Sequence, residues 1–371
     1  MIYADNAATT KLDPTAFEAM KPYLREEYGN ASQPYSFSRS VKKALRTSRE
    51  IIAQCIGASP EEIFFTSGGT ESDNWAIKGI LNKHEDALIT SNIEHHAVLN
   101  SCRAMEREGY SAEYLSVDRD GIVSSERLKE VSTGGAKLVS IMTANNEIGT
   151  IEPIAELARI AHEQGAIFHT DAVQAVGHIP VDVNKLEVDM LSASGHKFNG
   201  PKGIGFLYIK NGTEINSFMN GGSQENGLRA GTENIASVIG MAAALNKHCE
   251  HMEEDTLLLK KLEEEFFSIL NDSDLDYVRN GAKNHLPGNI NISIRNDDGE
   301  RILHRMDLMG ICISTGSACD SVNTQISHVI RAIKVPEEYA KGTIRITFGT
   351  NNKAGDGIKT AEALLQVCKK K

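Results

Sequence analysis

The sequence predicts an α/β fold, with a large, mostly parallel sheet and a smaller C-terminal α/β unit. Three observations carry this. Short apolar runs alternate with helix-like segments from about residue 60. Several of those runs are apolar throughout, as strands covered on both faces must be. A chain of 371 residues is long enough for a sizeable core and two domains, and 40% hydrophobic with 24% charged residues is ordinary for a soluble globular protein.

Taken in order, Pro14 opens a helix. Strands are then expected at 63–66, 87–90, 113–117, 137–143, 166–170, 188–191 and 204–209, with helices at 72–81, 97–108, 125–131 and 154–163 between them. A long charged helix, about 236–270, leads out of this unit. Beyond it lie strands at 289–294, 311–314 and 343–348 and helices at 300–309, 327–333 and 356–369. Asn280-Gly281 and Pro287-Gly288 mark turns. The expected domains are 15–255, and 1–14 together with 256–371. Ligands of such folds bind outside strand C-terminal ends, in the cleft between units.

The net charge of -11 argues against a general nucleic-acid or membrane-surface binder. No apolar run is long enough to span a bilayer, and Met1-Ile-Tyr-Ala-Asp5 has neither the basic nor the apolar region of a secretory signal. The six cysteines (55, 102, 249, 312, 319 and 368) form no Cys-x-x-Cys pair. That excludes a zinc ribbon, offers no metal-ligand spacing and no disulfide framework, and suits a reducing cytoplasm.

The chemistry-bearing residues follow predicted strands. Gly195-His196-Lys197 places an amine on a turn of small residues, where a partly desolvated lysine can form a Schiff base with an aldehyde. Thr66-Ser-Gly-Gly-Thr-Glu-Ser72 joins a strand to a helix: Gly68 and Gly69 let the backbone approach an anion, and Thr70 adds a hydroxyl at the helix start. It lacks the spacing of an ATP loop. Asp171 ends a strand, where a carboxylate would keep a pyridine nitrogen protonated, and Gln174 follows one turn later. His95 can stack on a ring, Asn146 supplies an amide, and Ser194 and His196 flank the lysine. Strand alternation puts Arg345 on the face opposite Ile344 and Ile346, with a fork suited to a carboxylate. Cys319 sits among small and polar residues, an exposed-loop setting in which a thiol can be a nucleophile. Each piece alone has a plain structural reading: Asp171 and His95 as helix caps, Arg345 as a solvent-facing strand residue, Cys319 as a small buried one. Together, anion loop, carboxylate and lysine share one edge of one sheet.

On these residues the chain resembles the cysteine desulfurases of the NifS/IscS type, in class V of the pyridoxal phosphate enzymes. The resemblance is carried by Tyr3-Ala-Asp-Asn-Ala-Ala-Thr-Thr10, Ser67-Gly-Gly-Thr-Glu-Ser72, Glu94-His95, Asn145-Asn-Glu-Ile-Gly149, Asp171-Ala-Val-Gln174, Gly195-His-Lys197, Gly200-Pro-Lys-Gly203, Arg229-Ala-Gly-Thr-Glu-Asn234 and Gly316-Ser-Ala-Cys319. It implies the fold-type I transferase architecture and pyridoxal 5'-phosphate bound to Lys197. His95 would stack on the ring, Asp171 pair with the pyridinium and Gln174 meet the phenolate oxygen. Gly69, Thr70, Ser194 and His196 would hold the phosphate, and Thr232 would reach the phosphate of a neighbouring subunit in a homodimer. Asn146, Arg345 and Asn30 would bind L-cysteine. Cys319 would take its sulfur as a persulfide, release L-alanine and pass the sulfur to an acceptor protein such as an iron–sulfur scaffold. Other expectations from the same fold are a selenocysteine lyase or another class V aminotransferase or lyase, which need Lys197 and Asp171 but not Cys319; a non-catalytic scaffold is the reading from a different class. The chain departs from the family pattern at Ala31–Ser38, at Phe198-Asn199, and at Asp320, a carboxylate that disfavours thiolate in the neighbouring Cys319.

Overall fold

The computed structural model describes residues 1–83, 85–316 and 326–369. Cys319 and Asp320 lie outside the described residues. The chain runs β1 (Ile2–Tyr3), α1 (Pro14–Arg25), α2 (Arg39–Ile56), β2 (Ile63–Thr66), α3 (Gly69–Ile80), β3 (Ala87–Ser91), α4 (His96–Arg107) and β4 (Ser111–Leu115). It continues with α5 (Ser125–Ser132), β5 (Ala136–Ser140), α6 (Ile154–Glu163), β6 (Ile167–Asp171), α7 (Val183–Leu186), β7 (Met190–Ser194), β8 (Gly205–Ile209) and α8 (Ile235–Asn271). The last part holds β9 (Tyr277–Arg279), β10 (Asn289–Ile294), α9 (Gly299–Leu308), β11 (Ile311–Cys312), α10 (His328–Ala332), α11 (Glu337–Ala340), β12 (Thr343–Thr347) and α12 (Asp356–Lys369).

A seven-stranded sheet has the order β2-β8-β7-β6-β5-β3-β4. Only β8 runs antiparallel to its neighbours. The reason is local: ten residues with no crossover helix join β7 to β8, too few for a parallel return. Successive strand residues enter different cores. Phe65, Ile89, Val139 and Leu191 pack on one face of the sheet, while Phe64, Leu88, Leu138 and Met190 pack on the other against Trp75 of α3 and Val98 of α4. Each such burial contributes about 1.5–3 kcal/mol.

A third core lies under the three-stranded sheet β12-β10-β9. Helix α8 serves two cores: Val238, Met241 and Leu245 pack in the large one, Leu259, Leu262, Phe266 and Leu270 in this one. The N-terminal segment also bridges the units. β1 pairs with β11, whereas Thr10 and Asp13 hydrogen-bond to His196 and Asn199.

Helix α1 begins as expected, with Asp13 accepting the Thr15 N–H at 2.7 Å and Pro14 in the first turn. Helix α2 and strand β9 were not anticipated from sequence. Helix α2 is amphipathic, burying Val41, Ser48, Ile52 and Ile56 and ending at Gly57 with φ 70°. Helix α3 starts three residues before the expected position, because Gly69 and Thr70 form its first turn. No helix among the described residues is long and apolar enough to cross a membrane.

Candidate active site

The six parallel strands end on one side of the sheet, and their following turns deliver the functional side chains. A cavity of about 210 Å³ there is lined by Lys197, Asp171, His95 and Gln174, by Thr70 and Gly69, by His196 and Asn146, and by Arg345 from the other unit. Ser194 lines an adjoining cavity of about 320 Å³, which shares Thr70 and His196 with the first. The structure thus brings nine of the sequence-predicted residues to one cavity. Asn30 does not line the first cavity; its carbonyl oxygen Oδ1 accepts the Ser32 N–H at 2.8 Å. Thr232 lines a different cavity, with Arg229 and Glu233.

Lys197 sits on a short turn after β7, and its Nζ donates to Ala7 O at 2.5 Å and Ala8 O at 3.1 Å. Gln174 Nε2 donates to the same Ala7 O at 3.0 Å. The N-terminal strap thus closes over the amine. Residues Ala7 and Ala8 line the cavity, and they are site residues that sequence reasoning quoted without a role.

Asp171 and His95 each unite the structural and functional readings. Asp171 Oδ1 accepts the Val173 N–H at 2.9 Å, yet the carboxylate lines the cavity. Burial pushes its pKa up to about 6, against the opposing pull of that N–H and the Lys197 charge. His95 caps α4, its Nδ1 accepting the Ala97 N–H at 3.1 Å. That bond assigns the ring proton to Nε2. Burial, then the Lys197 charge, holds this imidazole down at about 4, so it is neutral near pH 7. His196 is likewise held at about 4 by burial and by Lys197 and Lys202.

The anion loop fits a phosphate. Helix α3 opens on Gly68, which provides no side-chain cap for the first N–H groups. A Cβ on Gly69 would lie 2.5 Å from Val173 Cγ2, and one on Gly68 would lie 3.4 Å from Ser194 Oγ. At Gly69 a methyl would have to displace Val173, and Gly68 holds φ 147°, a conformation that side chains rarely adopt.

Arg345 is 1% exposed, not solvent-facing. Its Nη2 donates to Asp5 Oδ1 at 2.7 Å and its Nη1 to Asn146 O at 2.9 Å. Its Nε is buried without a hydrogen-bond partner among the described residues, a donor left for an incoming acceptor. Three further cavity residues have no role assigned from the sequence: Met142, Val173, and Asp73, one helical turn past Thr70. The spacing from Thr70 to Asp73 was the available signal.

A model of the aminotransferase class-V family matches residues 2–357. A cysteine desulfurase IscS of Dictyoglomus turgidum is 48% identical over 373 residues, covering 100% of this chain and 95% of its own length. One of Clostridium botulinum is 44% identical over 376 residues, with the same coverage. Among solved structures, a NifS-like protein is similar with a TM-score of 0.93 at 35% identity, over 99% of each chain. The structure of SspA in complex with cysteine is similar with a TM-score of 0.85 at 35% identity, over 94% of this chain and 99% of that one.

Proposed function

The chain belongs to the aminotransferase class-V family and is a pyridoxal phosphate-dependent cysteine desulfurase; from this we infer which residues carry the reaction. The observation that carries the assignment is the single cavity in which Lys197, Asp171, His95 and Arg345 meet from four distant stretches of chain.

Bound pyridoxal phosphate supplies an aldehyde for amine capture and a ring that accepts electrons. Lys197 is the residue that holds it covalently. Thr70, Ser194, His196 and the N–H groups at Gly69 take the phosphate, Asp171 keeps the ring nitrogen protonated, and Gln174 donates to the ring oxygen. Neutral His95 covers the ring face. L-cysteine enters with its carboxylate on Arg345 Nε and beside Asn146. Lys197 Nζ, with the cofactor bound, would take the Cα proton and later return one. Cys319, as a thiolate, attacks the substrate sulfur: an S–S bond forms, the Cβ–S bond breaks with its electron pair left on the carbon side, Cβ takes up a proton, L-alanine leaves, and Cys319 holds a persulfide for an acceptor protein such as an iron–sulfur scaffold.

Two copies form the working enzyme in this reading, with Thr232 serving the neighbour's phosphate. Its absence from its own chain's cavity supports that role. The two cores met by α8 support a cofactor domain at 15–255, with 1–14 and 256–371 forming the second. A cytoplasmic location fits the absence of any Cys-x-x-Cys pair.

The test compares alanine formation from L-cysteine in wild type, Lys197→Ala and Cys319→Ser. Both variants are expected to lose turnover, while Cys319→Ser keeps the visible cofactor band and Lys197→Ala loses it. Full activity in Cys319→Ser would defeat the persulfide assignment.

A further inference from the structure

Asp73 is a second carboxyl at the end of the cavity that holds Asp171. Its carboxylate oxygen, that of Asp171 and a ring nitrogen of His95 all lie within 4.8 Å of one another. Asp73 lines the cavity and is 1% exposed, and Asp171 is 5% exposed, so bulk solvent screens the pair weakly. Two carboxylates so placed cannot both ionise cheaply.

The surroundings decide which one keeps the charge. Asp171 at the end of β6 has the Val173 N–H and the Lys197 cation. Asp73 on α3 meets the Ser192 hydroxyl from β7, and otherwise the repelling carboxyls of Asp171 and Glu94. His169 of β6 stands 3.8 Å away, but its ring is fully buried between Ser140 Oγ at 2.8 Å and Ser192 Oγ at 2.9 Å, and burial holds it neutral. His95 is neutral as well. Burial first, then Asp171, pushes the Asp73 carboxyl well above the usual carboxylate range. Its Oδ1 is buried with no hydrogen-bond partner among the described residues.

We propose that Asp73 is the positioning residue for Asp171: a neutral carboxylic acid whose proton faces that carboxylate, so that the negative charge at the ring-nitrogen end of the site rests on Asp171 alone. The Ser140–His169–Ser192 chain fixes the acid from behind, with Ser192 donating to it. With that donor in place Asp171 stays ionised, and the ring nitrogen keeps its proton. This rests on Asp171 being the partner of the ring nitrogen, which Asp171→Asn tests separately through loss of the wild-type titration of the visible cofactor band.

The experiment follows that band in the cofactor-loaded enzyme as a function of pH, together with cofactor affinity. Asp73→Asn, which keeps a neutral donor, is expected to hold the midpoint within about 0.3 pH unit of wild type. Asp73→Ala, which deletes the donor, is expected to raise the midpoint by about half a unit or more, because a more basic Asp171 competes for the ring proton. A shift of about one unit in Asp73→Asn would show that an anion had been removed and would overturn the proposal. So would an unmoved midpoint in Asp73→Ala. Should Asp73→Ala fail to fold, the infrared difference between wild type and Asp73→Asn decides. The carbonyl stretch of a protonated carboxylic acid must be present in wild type and lost in the variant; a carboxylate band lost in its place would overturn the assignment.

Discussion

At the scale of single residues, capping and catalysis are not competing explanations. His95 caps α4 through Nδ1 while the same ring lines the cavity, and Asp171 anchors the turn at Val173 while its carboxylate faces the site. Asp171 closes β6 and His95 caps α4 four residues past β3, and both are positions that the strand-to-helix pattern of the sequence marks. Asp73 was not legible: it lies inside a helix, where an acidic residue ordinarily reads as a solvated face. Arg345 was legible by alternation, but its burial and its pairing with Asp5 depend on a contact 340 residues apart in sequence. Arg345→Lys keeps the charge and loses the fork; the KM for L-cysteine is expected to rise roughly 10–100-fold, with a smaller change in kcat, in steady-state alanine assays. A second residue makes pH a probe of stability. Glu152 is buried, its Oε2 accepting the Val123 N–H at 3.1 Å, and burial raises its pKa from 4.5 to about 8. The native state therefore holds a proton that the unfolded chain releases, a stabilisation lost as pH rises through 8. Wild type should lose about 2–3 kcal/mol between pH 6 and 9 that Glu152→Gln does not lose, measured by urea unfolding at each pH.

At the scale of elements, strand and helix existence was readable from period and apolarity, and ends moved by up to three residues. The largest omission, α2, is amphipathic, with charged residues facing outward and Val41, Ile52 and Ile56 inward. Its pattern was present in the sequence, but nothing near it carried chemistry. The sheet is mostly parallel, as the sequence predicts, but that β8 is the antiparallel strand was not legible, since strand polarity depends on the connection rather than on strand composition. Polar residues inside central strands, Ser140, His169 and Ser192, satisfy one another within the sheet layer, which no apolar template anticipates. The junction of β2 and α3 yields the element-scale prediction. Gly69→Ala pushes a methyl against Val173 and spoils the approach to an anion, so cofactor affinity should fall about tenfold or more. Equilibrium titration of the apoenzyme, followed by cofactor absorbance, checks it.

At the scale of the whole molecule, two apolar cores share α8, and damage to one should leave the other. Phe266 is fully buried in the smaller core. Phe266→Ala is expected to destabilise that unit by about 3–5 kcal/mol. Far-UV dichroism should then show an early transition in urea that precedes loss of the visible cofactor band, whereas coincident transitions would mean that the units unfold as one. The contacts of the N-terminal strap were not legible, because its partners lie far from it in sequence, from Lys197 to Arg345. That strap also sets a timetable. Ile2 pairs with Ile311, Asp5 with Arg345, and the Ala7 carbonyl with Lys197. During synthesis Ile2 and Asp5 must wait for Ile311 and Arg345 far downstream, while Ala7 can meet Lys197 earlier. The cavity is thus completed late, by a segment made far earlier, and a ribosome that stalls before residue 345 leaves a chain without the Asp5–Arg345 pair.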